Sequence, residues 1–393
     1  MSYRYKDMVI INPLMRGGMV PRDVQEKIHT EGWTEVGYSL CFDCIEGRSS
    51  LVSKPGVKGF LEEVARFFGG DVAEHTFGCR GAQFAAMHAI AKYAQEHGRS
   101  KVVIADPNSH YSTNIAAEMC GLEVVEPPHT GYPEYKVTAE EFAKKIDAVK
   151  KSAGKPALVV LTHADPYYGN IAPVKEVGKL CAEEEIPFLL NAAYTGGVMP
   201  INMKEMKVDF LTLSAHKSMA SLAPLGFLVT TFEWSKKAFE ISKAKPDWTG
   251  RAFGKKIPNL FGCSIGGIPL VSAMLSFPHV KERVRHWDEE MAKGERFVKA
   301  MEDLGDIMLL GERPHRHHLL HFETPLFWEI SKGQKKGGFF LADEMIKRGV
   351  VGLHKGLSKH IKLSVYGLSD DEVKKVLGAF GEIAKMPKAA VQA

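Results

Sequence analysis

A lysine follows an apolar run in the segment VDFLTLSAHKSMA, which begins at Val208. The polar residues Ser214, His216 and Lys217 come directly after the run, so Lys217 is predicted to lie at the carboxyl edge of a sheet, where open α/β folds bind ligands. A desolvated lysine there has a lowered pKa, and its free amine can form an imine with an aldehyde or act as a base. The alternative is a lysine that only begins a loop.

A Gly-rich turn stands before a predicted helix in HTFGCRGAQFAAMHAI, from His75 to Ile90. Free backbone N–H groups and the helix dipole at such a point bind phosphate. We therefore predict a phosphate contact from Arg80, Gly81, Ala82 and Gln83. Many turns of this kind have only a structural role, so the motif is weak evidence when it stands alone.

Polar and aromatic residues also follow the other predicted strands. His110 comes after KVVIADP and is predicted to stack on a cofactor ring, although a surface loop histidine is the alternative. Asn170, close after Asp165, is predicted to contact a phenolic oxygen, and Ser214 and His216 are predicted to contact the phosphate and the ring. An aldehyde-binding lysine, a phosphate cup and a ring site together indicate pyridoxal phosphate.

Asn191 ends the predicted strand of IPFLLNAAYTGG, three residues before Tyr194. Enzymes of this class usually carry an aspartate here, which keeps the pyridine nitrogen protonated and makes the ring a strong electron sink. A neutral amide does so less well. This weaker sink favours expulsion of a good leaving group from Cβ over full transamination.

Three of the six cysteines are candidates for sulfur chemistry. Cys41 and Cys44 are spaced as CxxC, and Cys263 stands in the Gly-bounded segment PNLFGCSIGG. A single CxxC does not make a four-ligand zinc site. The others are Cys120 and Cys181, predicted to be buried core thiols, and Cys79, which adjoins the predicted phosphate cup.

The segments INPLMRGG, GRSSL, GCRGA, NSHYST, THADPYYGN, SAHKSM, FGCSIGG and SFPHVKERV occur in this order. In combination they resemble the archaeal O-phosphoseryl-tRNA:cysteinyl-tRNA synthase family. The resemblance is strongest from Asn12 to about Arg285. It implies conversion of phosphoseryl-tRNA(Cys) to cysteinyl-tRNA(Cys), with Lys217 as the base and a sulfur nucleophile replacing phosphate.

The resemblance also implies roles for further residues. Cys41, Cys44 and Cys263 match the three family cysteines, which either carry sulfur as a persulfide or hold an iron–sulfur cluster; both alternatives stay open. Arg80, His216 and Arg251 are expected to bind the substrate phosphate.

The partners implied by the resemblance are phosphoseryl-tRNA(Cys), a phosphoseryl-tRNA synthetase and a sulfur donor. A homodimer is expected, in which Ser264 and Gly266 reach the cofactor of the partner subunit.

Two rival functions fit parts of the pattern. A cysteine desulfurase-like lyase of the same fold would act on free cysteine with a mobile cysteine late in the chain. No cysteine follows Cys263, which favours the synthase, although Cys263 itself could play the mobile role. The rival from another class is a tRNA-binding scaffold without catalysis.

Apolar runs alternate with helix-period segments after an irregular, Gly-rich stretch of about sixty residues. Parallel strands are predicted in KVVIADP, ALVVLTHAD, IPFLLNAAY, VDFLTLSAHK and PLGFLVTT. The pattern predicts an α/β fold with a mostly parallel sheet, of the aspartate-aminotransferase type (fold type I of the pyridoxal-phosphate enzymes). The large domain is expected over 1–269, including the first sixty residues, and a small α+β domain over 270–393.

The helices predicted with most detail are Gln83 to His97, Ala139 to Lys151, Val174 to Glu185, Pro278 to Leu304, Phe339 to Arg348 and Asp370 to Lys385, the last with a capping box of Ser369 and Glu372. Small-domain strands are predicted at His318 to Phe322 and Ile361 to Gly367. The stretch from Ser235 to Gly267 is predicted to be a long loop.

Bulk composition narrows the class of protein. The 393 residues are 45% hydrophobic and 25% charged, with a net charge of +4, and no run of eighteen apolar residues occurs, so a membrane protein is not expected. The N-terminus lacks an export signal, and a cytoplasmic location is expected. Metal binding by His315, His317, His318 and His321 is not favoured, because alternation along a strand places them on different faces.

Overall fold

The computed structural model describes residues 8–33, 39–40, 56–243, 245–251 and 265–388, with side chains except at 39–40 and 265–266. Cys41, Cys44, Cys263 and Ser264 lie outside the described residues. The strands are, in chain order, β1 (Val9–Ile10), β2 (Ser39–Leu40), β3 (Val72–Thr76), β4 (Val102–Ala105), β5 (Glu123–Val125), β6 (Leu158–Thr162), β7 (Phe188–Asn191), β8 (Phe210–Leu213), β9 (Gly226–Thr230), β10 (Ile265–Gly266), β11 (Met308–Leu310), β12 (Leu320–Glu323), β13 (Val350–Val351) and β14 (His360–Leu363).

A seven-stranded sheet with the order β3-β9-β8-β7-β6-β4-β5 forms the centre of the larger part of the chain. The five strands from β8 to β5 in this order are mutually parallel. Their carboxyl ends therefore meet at one edge of the sheet. The prediction of a mostly parallel sheet in an α/β fold is confirmed.

The direction of β9 corrects one prediction. The run PLGFLVTT forms a strand, but it is antiparallel to both of its neighbours, with Thr230 paired to Val72 on one side and to Phe210 on the other. All five residues of β9 are buried, so its apolar sequence matches that of a parallel strand and carries no sign of direction. The edge strand β3 was not predicted, because Glu74, His75 and Thr76 are polar although they are buried.

Helices cover the sheet and fill the C-terminal part. They are α1 (Pro13–Arg16), α2 (Arg22–Thr30), α3 (Val57–Phe67), α4 (Gly78–Glu96), α5 (Ser112–Met119), α6 (Ala139–Ala153), α7 (Val174–Glu183), α8 (Met203–Met206), α9 (Ala215–Ser218), α10 (Phe232–Ala238), α11 (Gly267–Arg285), α12 (Trp287–Glu302), α13 (Pro325–Lys332), α14 (Phe340–Lys347) and α15 (Asp370–Ala384). The predicted capping box of α15 is confirmed.

Several predicted helix bounds are wrong. The long helix predicted from Pro278 to Leu304 is two helices, α11 and α12, and Pro278 lies inside the first of them. Helix α4 begins at Gly78, five residues before Gln83. The first sixty residues, predicted to be irregular, contain α2, whose inner face buries Val24 and Ile28. Helix α10 covers the start of the predicted long loop.

Helix α11 and strand β1 each pack with residues on the other side of the predicted boundary at residue 270. Leu270, Phe277 and Val280 of α11 pack in the core of the large sheet. A separate core surrounds the antiparallel sheet β11-β12-β14. Val9 and Ile11 belong to this second core, where β1 pairs in parallel with β13. The N-terminal strand β1 thus packs with the small α+β unit.

Across the described ranges, no helix combines the length and apolar character that a bilayer crossing requires.

Candidate active site

A cavity of about 320 Å³ lies at the carboxyl edge of the large sheet. The residues after β4, β6, β7 and β8 and the first turn of α4 form its wall, as expected for ligand sites of open α/β folds. Its lining residues are Phe77, Gly78, Cys79, Arg80, His110, Tyr111, Ser112, Thr162, Pro166, Asn191, Ala193, Tyr194, Ser214, His216 and Lys217.

Lys217 lies in the short helix α9, which turns the chain away from the sheet directly after β8. Its Nζ is 5.1 Å from the centroid of the Tyr194 ring. Burial lowers the pKa of Lys217, the nearby Cys79 opposes this shift, and the positive charge of Arg80 adds to it. The amine is therefore easier to obtain in its uncharged, nucleophilic form than that of a surface lysine.

The N-terminal glycines of the RGG motif pack against the backbone that carries Lys217. A Cβ on Gly17 would lie 2.6 Å from the carbonyl oxygen of Lys217, and one on Gly18 would lie 2.0 Å from that of His216. Real Cβ atoms do not approach this closely, so only glycine fits at either position. The role of these two glycines was not predicted, because the contact joins segments about 200 residues apart.

The guanidinium of Arg283 donates hydrogen bonds to backbone carbonyl oxygens in the same region. Its Nε donates to the carbonyl oxygen of Gly197 at 2.8 Å, and its Nη2 donates to those of Gly17 at 3.0 Å and Ser218 at 2.5 Å. Arg283 also lies over the ring of Tyr366 in the small unit. One side chain thus joins the N-terminal loop, the turn after Tyr194 and the helix of Lys217.

Asn191 presents a defined end of its amide to the cavity. Its Oδ1 accepts from the backbone N–H of Ala193 at 3.2 Å and from the Sγ–H of Cys79 at 3.1 Å. A backbone N–H can only donate, so the oxygen faces Ala193 and the amide N–H₂ is left for the cavity. Burial raises the pKa of Cys79 to about 11, which keeps its thiol protonated and able to donate. Asn191 is therefore a neutral hydrogen-bond donor here.

The N-terminus of α4, where phosphate binding is predicted, lies earlier in the chain than expected. The helix begins at Gly78, whose φ of +70° places it in the left-handed region, and the N-cap Phe77 makes no side-chain cap. The backbone N–H groups of the first turn are unpaired within a helix, and the helix dipole is positive there. Arg80 lines the cavity as predicted, whereas Gly81, Ala82 and Gln83 do not.

Gln83 instead supports the loop of His110. Its Oε1 accepts from Ser112 Oγ at 2.8 Å and its Nε2 donates to Thr113 Oγ1 at 3.0 Å. Ser112 Oγ in turn lies 2.9 Å from His110 Nδ1. Burial, then the positive charges of Lys217 and Arg80, lower the pKa of His110 to about 4. His110 is a neutral ring at the cavity wall.

His216 and Ser214 form a hydrogen-bonded pair beside Lys217. His216 Nδ1 donates to the carbonyl oxygen of Leu225 at 2.9 Å, so Nε2 accepts from Ser214 Oγ at 3.3 Å. Burial lowers the pKa of His216. Both residues line the cavity, where they were predicted to be.

Two further predicted contacts, Asn170 and Arg251, are not brought to the cavity. Asn170 is buried elsewhere: its Nδ2 donates to the carbonyl oxygen of Glu134 at 2.9 Å, and its Oδ1 accepts from Glu312 N at 2.7 Å. Its amide is thus used to hold loops together. Arg251 is exposed and does not line the cavity. Cys41, Cys44, Cys263 and Ser264 fall in the undescribed ranges.

Tyr111 and Thr162 are lining residues that sequence reasoning missed. Tyr111 directly follows His110, and its hydroxyl accepts from Arg80 Nη2 at 2.6 Å. Thr162 is the polar residue that ends the apolar run of β6. The signal that found Asn191, a polar residue at the end of a buried strand, would also have found Thr162.

The histidine cluster of the small unit does not form a metal site. His315 Nε2 donates to the carbonyl oxygen of Leu319 at 2.8 Å, His318 Nδ1 lies 2.9 Å from Ser364 Oγ, and His321 Nδ1 donates to the carbonyl oxygen of Tyr167 at 2.9 Å. No group of three metal-ligating side chains occurs among the residues that the structure describes.

Solved structures share this architecture. A cysteine desulfurase from Thermococcus onnurineus matches with a TM-score of 0.75 at 18% identity, covering 97% of this chain and 95% of that one. Mouse CSAD matches with a TM-score of 0.69 at 15% identity, covering 95% and 84%. At these identities the likeness concerns the fold alone. The chain therefore has the fold of the type I pyridoxal-phosphate enzymes.

Closer relatives identify the family. A protein of Archaeoglobus fulgidus named O-phospho-L-seryl-tRNA:Cys-tRNA synthase 2 is 46% identical over 97% of this chain and 95% of its own length. The synthase of Methanopyrus kandleri is 42% identical over 95% and 93%. A crystal structure of a SepCysS–SepCysE N-terminal domain complex matches with a TM-score of 0.85 at 39% identity, covering 98% and 96%.

A family model described as O-phosphoseryl-tRNA(Sec) selenium transferase, SepSecS, matches residues 79–385. This chain belongs to the O-phospho-L-seryl-tRNA:Cys-tRNA synthase family. The resemblance noted from the motifs is confirmed.

Proposed function

We propose that this chain converts O-phosphoseryl-tRNA(Cys) to cysteinyl-tRNA(Cys), replacing phosphate with sulfur while the amino acid stays on the tRNA. The observation that carries the proposal is the cavity itself. It combines a desolvated lysine, a helix N-terminus and a neutral amide. Relatives that bear this name match the chain over nearly their full length. The function is a β-replacement that uses pyridoxal phosphate.

The lining residues fit that cofactor. Lys217 is the amine for its aldehyde, the first turn of α4 with Ser214 and His216 suits its phosphate, and His110 provides an uncharged ring beside it. The amide N–H₂ of Asn191 suits an unprotonated ring nitrogen. When bound, pyridoxal phosphate supplies an electron sink for the Cα–H and Cβ–O bonds of the substrate.

The chain's own groups then have distinct tasks. Lys217 takes the Cα proton of the phosphoseryl group, for which a lowered pKa suits it. Arg80, which the Tyr111 hydroxyl orients, stabilises the departing phosphate from the cavity wall. Arg251 remains a second proposed phosphate ligand, on the exposed segment outside the cavity.

The sulfur is proposed to pass through Cys41, Cys44 and Cys263. Supporting this, β2 and β10 pair in an antiparallel manner, with Leu40 opposite Ile265. Leu40 directly precedes Cys41, and Ile265 follows Cys263 by two residues, so the paired residues are close in sequence to both cysteines. A persulfide relay and a cluster bound by three thiolates are both compatible with this pairing.

The proposed assembly is a homodimer working in the cytoplasm with a phosphoseryl-tRNA synthetase and a sulfur donor. A protein similar to SepCysE is a proposed further partner, since a related chain was crystallised with the N-terminal domain of SepCysE.

Sulfur transfer to phosphoseryl-tRNA(Cys) tests the function. Wild type should form cysteinyl-tRNA, and Cys41→Ala, Cys44→Ala and Cys263→Ala should each lower its formation by at least about 100-fold while phosphate release continues. Cys181→Ala, a change at a buried thiol of the sheet core, is the matched control. Full activity in all three variants would show that the cysteine assignment is wrong. Rapid release of alanine and sulfide from free cysteine would instead identify a desulfurase.

The neutral amide at Asn191 predicts a specific effect of Asn191→Asp. A carboxylate facing the ring nitrogen favours its protonation and strengthens the electron sink, so transamination should compete with replacement. We expect at least a tenfold loss of cysteinyl-tRNA formation, about 1.4 kcal/mol in the barrier, and a progressive change in the cofactor absorbance during turnover.

Cys79→Ser is the control for Asn191→Asp, because a hydroxyl keeps a donor to Asn191 Oδ1 and leaves the amide in place. The cofactor absorbance of the Cys79→Ser variant should stay constant during turnover. If Asn191→Asp also matches wild type in rate and absorbance, the neutral amide has no role in the reaction.

A further inference from the structure

An exposed tyrosine stands at the rim of the cavity, next to one of its lining residues. Pro166 lines the cavity and is followed by Tyr167, which is 44% exposed. The turn is rigidly held, because Asp165 Oδ1 accepts from the backbone N–H groups of Tyr167 at 2.8 Å and Tyr168 at 2.6 Å. The ring is thus fixed one residue away from the cavity wall.

The small unit places a cation on this ring. Lys362 of β14 has its Nζ 5.2 Å from the centroid of the Tyr167 ring, and the same amine donates to the carbonyl oxygen of Pro166 at 3.1 Å. His321 of the neighbouring strand β12 donates to the carbonyl oxygen of Tyr167. The rim is therefore an aromatic surface with an adjacent positive charge, built by both units of the chain.

Aromatic side chains continue outward from this point. Tyr168 stacks on Tyr135 with ring centroids 4.0 Å apart and planes 7° from parallel. Beyond them Tyr132 is 62% exposed, and its ring lies edge-on to Tyr135. Exposed aromatic rings with interspersed cations bind single-stranded nucleic acid, because each base can stack on a ring while the cation contacts a phosphate.

We propose that Tyr167 and Lys362 bind the terminal nucleoside of the tRNA acceptor strand, an inference that rests on the proposed function. The reacting amino acid is esterified to that nucleoside. When it reaches Lys217, the nucleoside must lie at the rim of the cavity. The base stacks on the open side of Tyr167, and Lys362 neutralises the adjoining phosphodiester.

The other exposed ring at the cavity is less suited to this task. Tyr111 is 56% exposed, but Arg80 lies 5.1 Å from its centroid and the His110 ring lies at 4.3 Å. Tyr111 is occupied in orienting Arg80, whereas Tyr167 lines no part of the cavity. A change at Tyr167 therefore separates tRNA binding from chemistry.

The test compares Tyr167→Ala with Tyr167→Phe in the intact enzyme. Loss of the ring should raise KM for phosphoseryl-tRNA(Cys) about tenfold or more, which corresponds to about 1.4 kcal/mol. The kcat should stay within about twofold of the wild-type value, and the absorbance spectrum of the cofactor should be unchanged. The phenylalanine variant keeps the stacking face, and its KM should stay within about twofold. Lys362→Gln should lower the slope of log KM against log salt by about one.

Phe232→Ala is the matched surface control. Phe232 is 63% exposed with Lys236 Nζ 4.6 Å from its ring centroid, but it follows β9 at the opposite edge of the sheet. Its KM should equal that of wild type.

Three results would overturn the inference: an unchanged KM for Tyr167→Ala, an equal rise for Tyr167→Phe, or an equal rise for Phe232→Ala. If wild type itself fails to convert phosphoseryl-tRNA(Cys), the proposed function fails instead.

Discussion

Lys217→Ala should abolish the covalent attachment of pyridoxal phosphate and lower turnover by at least about 10²- to 10⁴-fold, the usual contribution of one positioned general base. The side chain is the amine that lines the cavity at the end of β8, and burial has already lowered its pKa. Borohydride reduction followed by peptide mapping measures attachment, and single-turnover conversion of phosphoseryl-tRNA(Cys) measures chemistry.

Lys217→Arg is the control for charge. A guanidinium keeps the positive charge over Tyr194, but its very high pKa prevents it from forming an imine or accepting a proton. Both variants should therefore lose cofactor attachment and turnover to the same extent. A borohydride-stable adduct in Lys217→Ala, or retention of more than a tenth of wild-type activity in either variant, would remove Lys217 from its assigned role.

Gly18→Ala should be almost as damaging, although Gly18 lies about 200 residues away from Lys217 in the sequence. The added Cβ would stand 2.0 Å from the carbonyl oxygen of His216 and 3.3 Å from the Cα of Lys217, so backbone must move. A displacement of about 1 Å at a catalytic group can lower the rate about 100-fold. We expect a loss of that order, together with about 1–3 kcal/mol of stability from overpacking.

Gly59→Ala provides the matched control for the substitution itself. Gly59 lies on the exposed face of α3, and a Cβ there meets nothing within 4 Å. Alanine should raise the free energy of unfolding by about 0.5–1 kcal/mol and leave activity unchanged. Chemical denaturation measures the free energy of unfolding of both variants, and steady-state kinetics measures their activity. Wild-type activity in Gly18→Ala would show that the N-terminal loop does not position Lys217.

Most of the site residues were predicted from residue types at the ends of strands. Lys217, His110, Asn191, Ser214 and His216 were all predicted from polar residues that follow buried apolar runs, and each lines the cavity. This works because parallel strands end at a common edge, so local order along the chain translates into proximity.

That reasoning could not distinguish residues that line the cavity from residues of the same type that make structural contacts elsewhere. Asn170 also follows a buried strand, but its amide holds Glu134 and Glu312 together. Gln83 lies in the helix that closes the site, yet it faces Ser112 rather than the cavity. The direction of a side chain depends on where its helix begins. This helix begins at Gly78, more than one turn before the predicted start at Gln83.

The sequence by itself determined the fold class, the lysine and the neutral amide of Asn191, because burial patterns and chemical types are local properties of the chain. Only the tertiary structure decided the direction of β9, the placement of β1 in the small unit and the amide orientation of Asn191. It also decided the contacts of Gly18 and Arg283 with the helix that carries Lys217. These depend on contacts between distant segments. Their geometry is set by packing and by backbone hydrogen bonds, which no local pattern records.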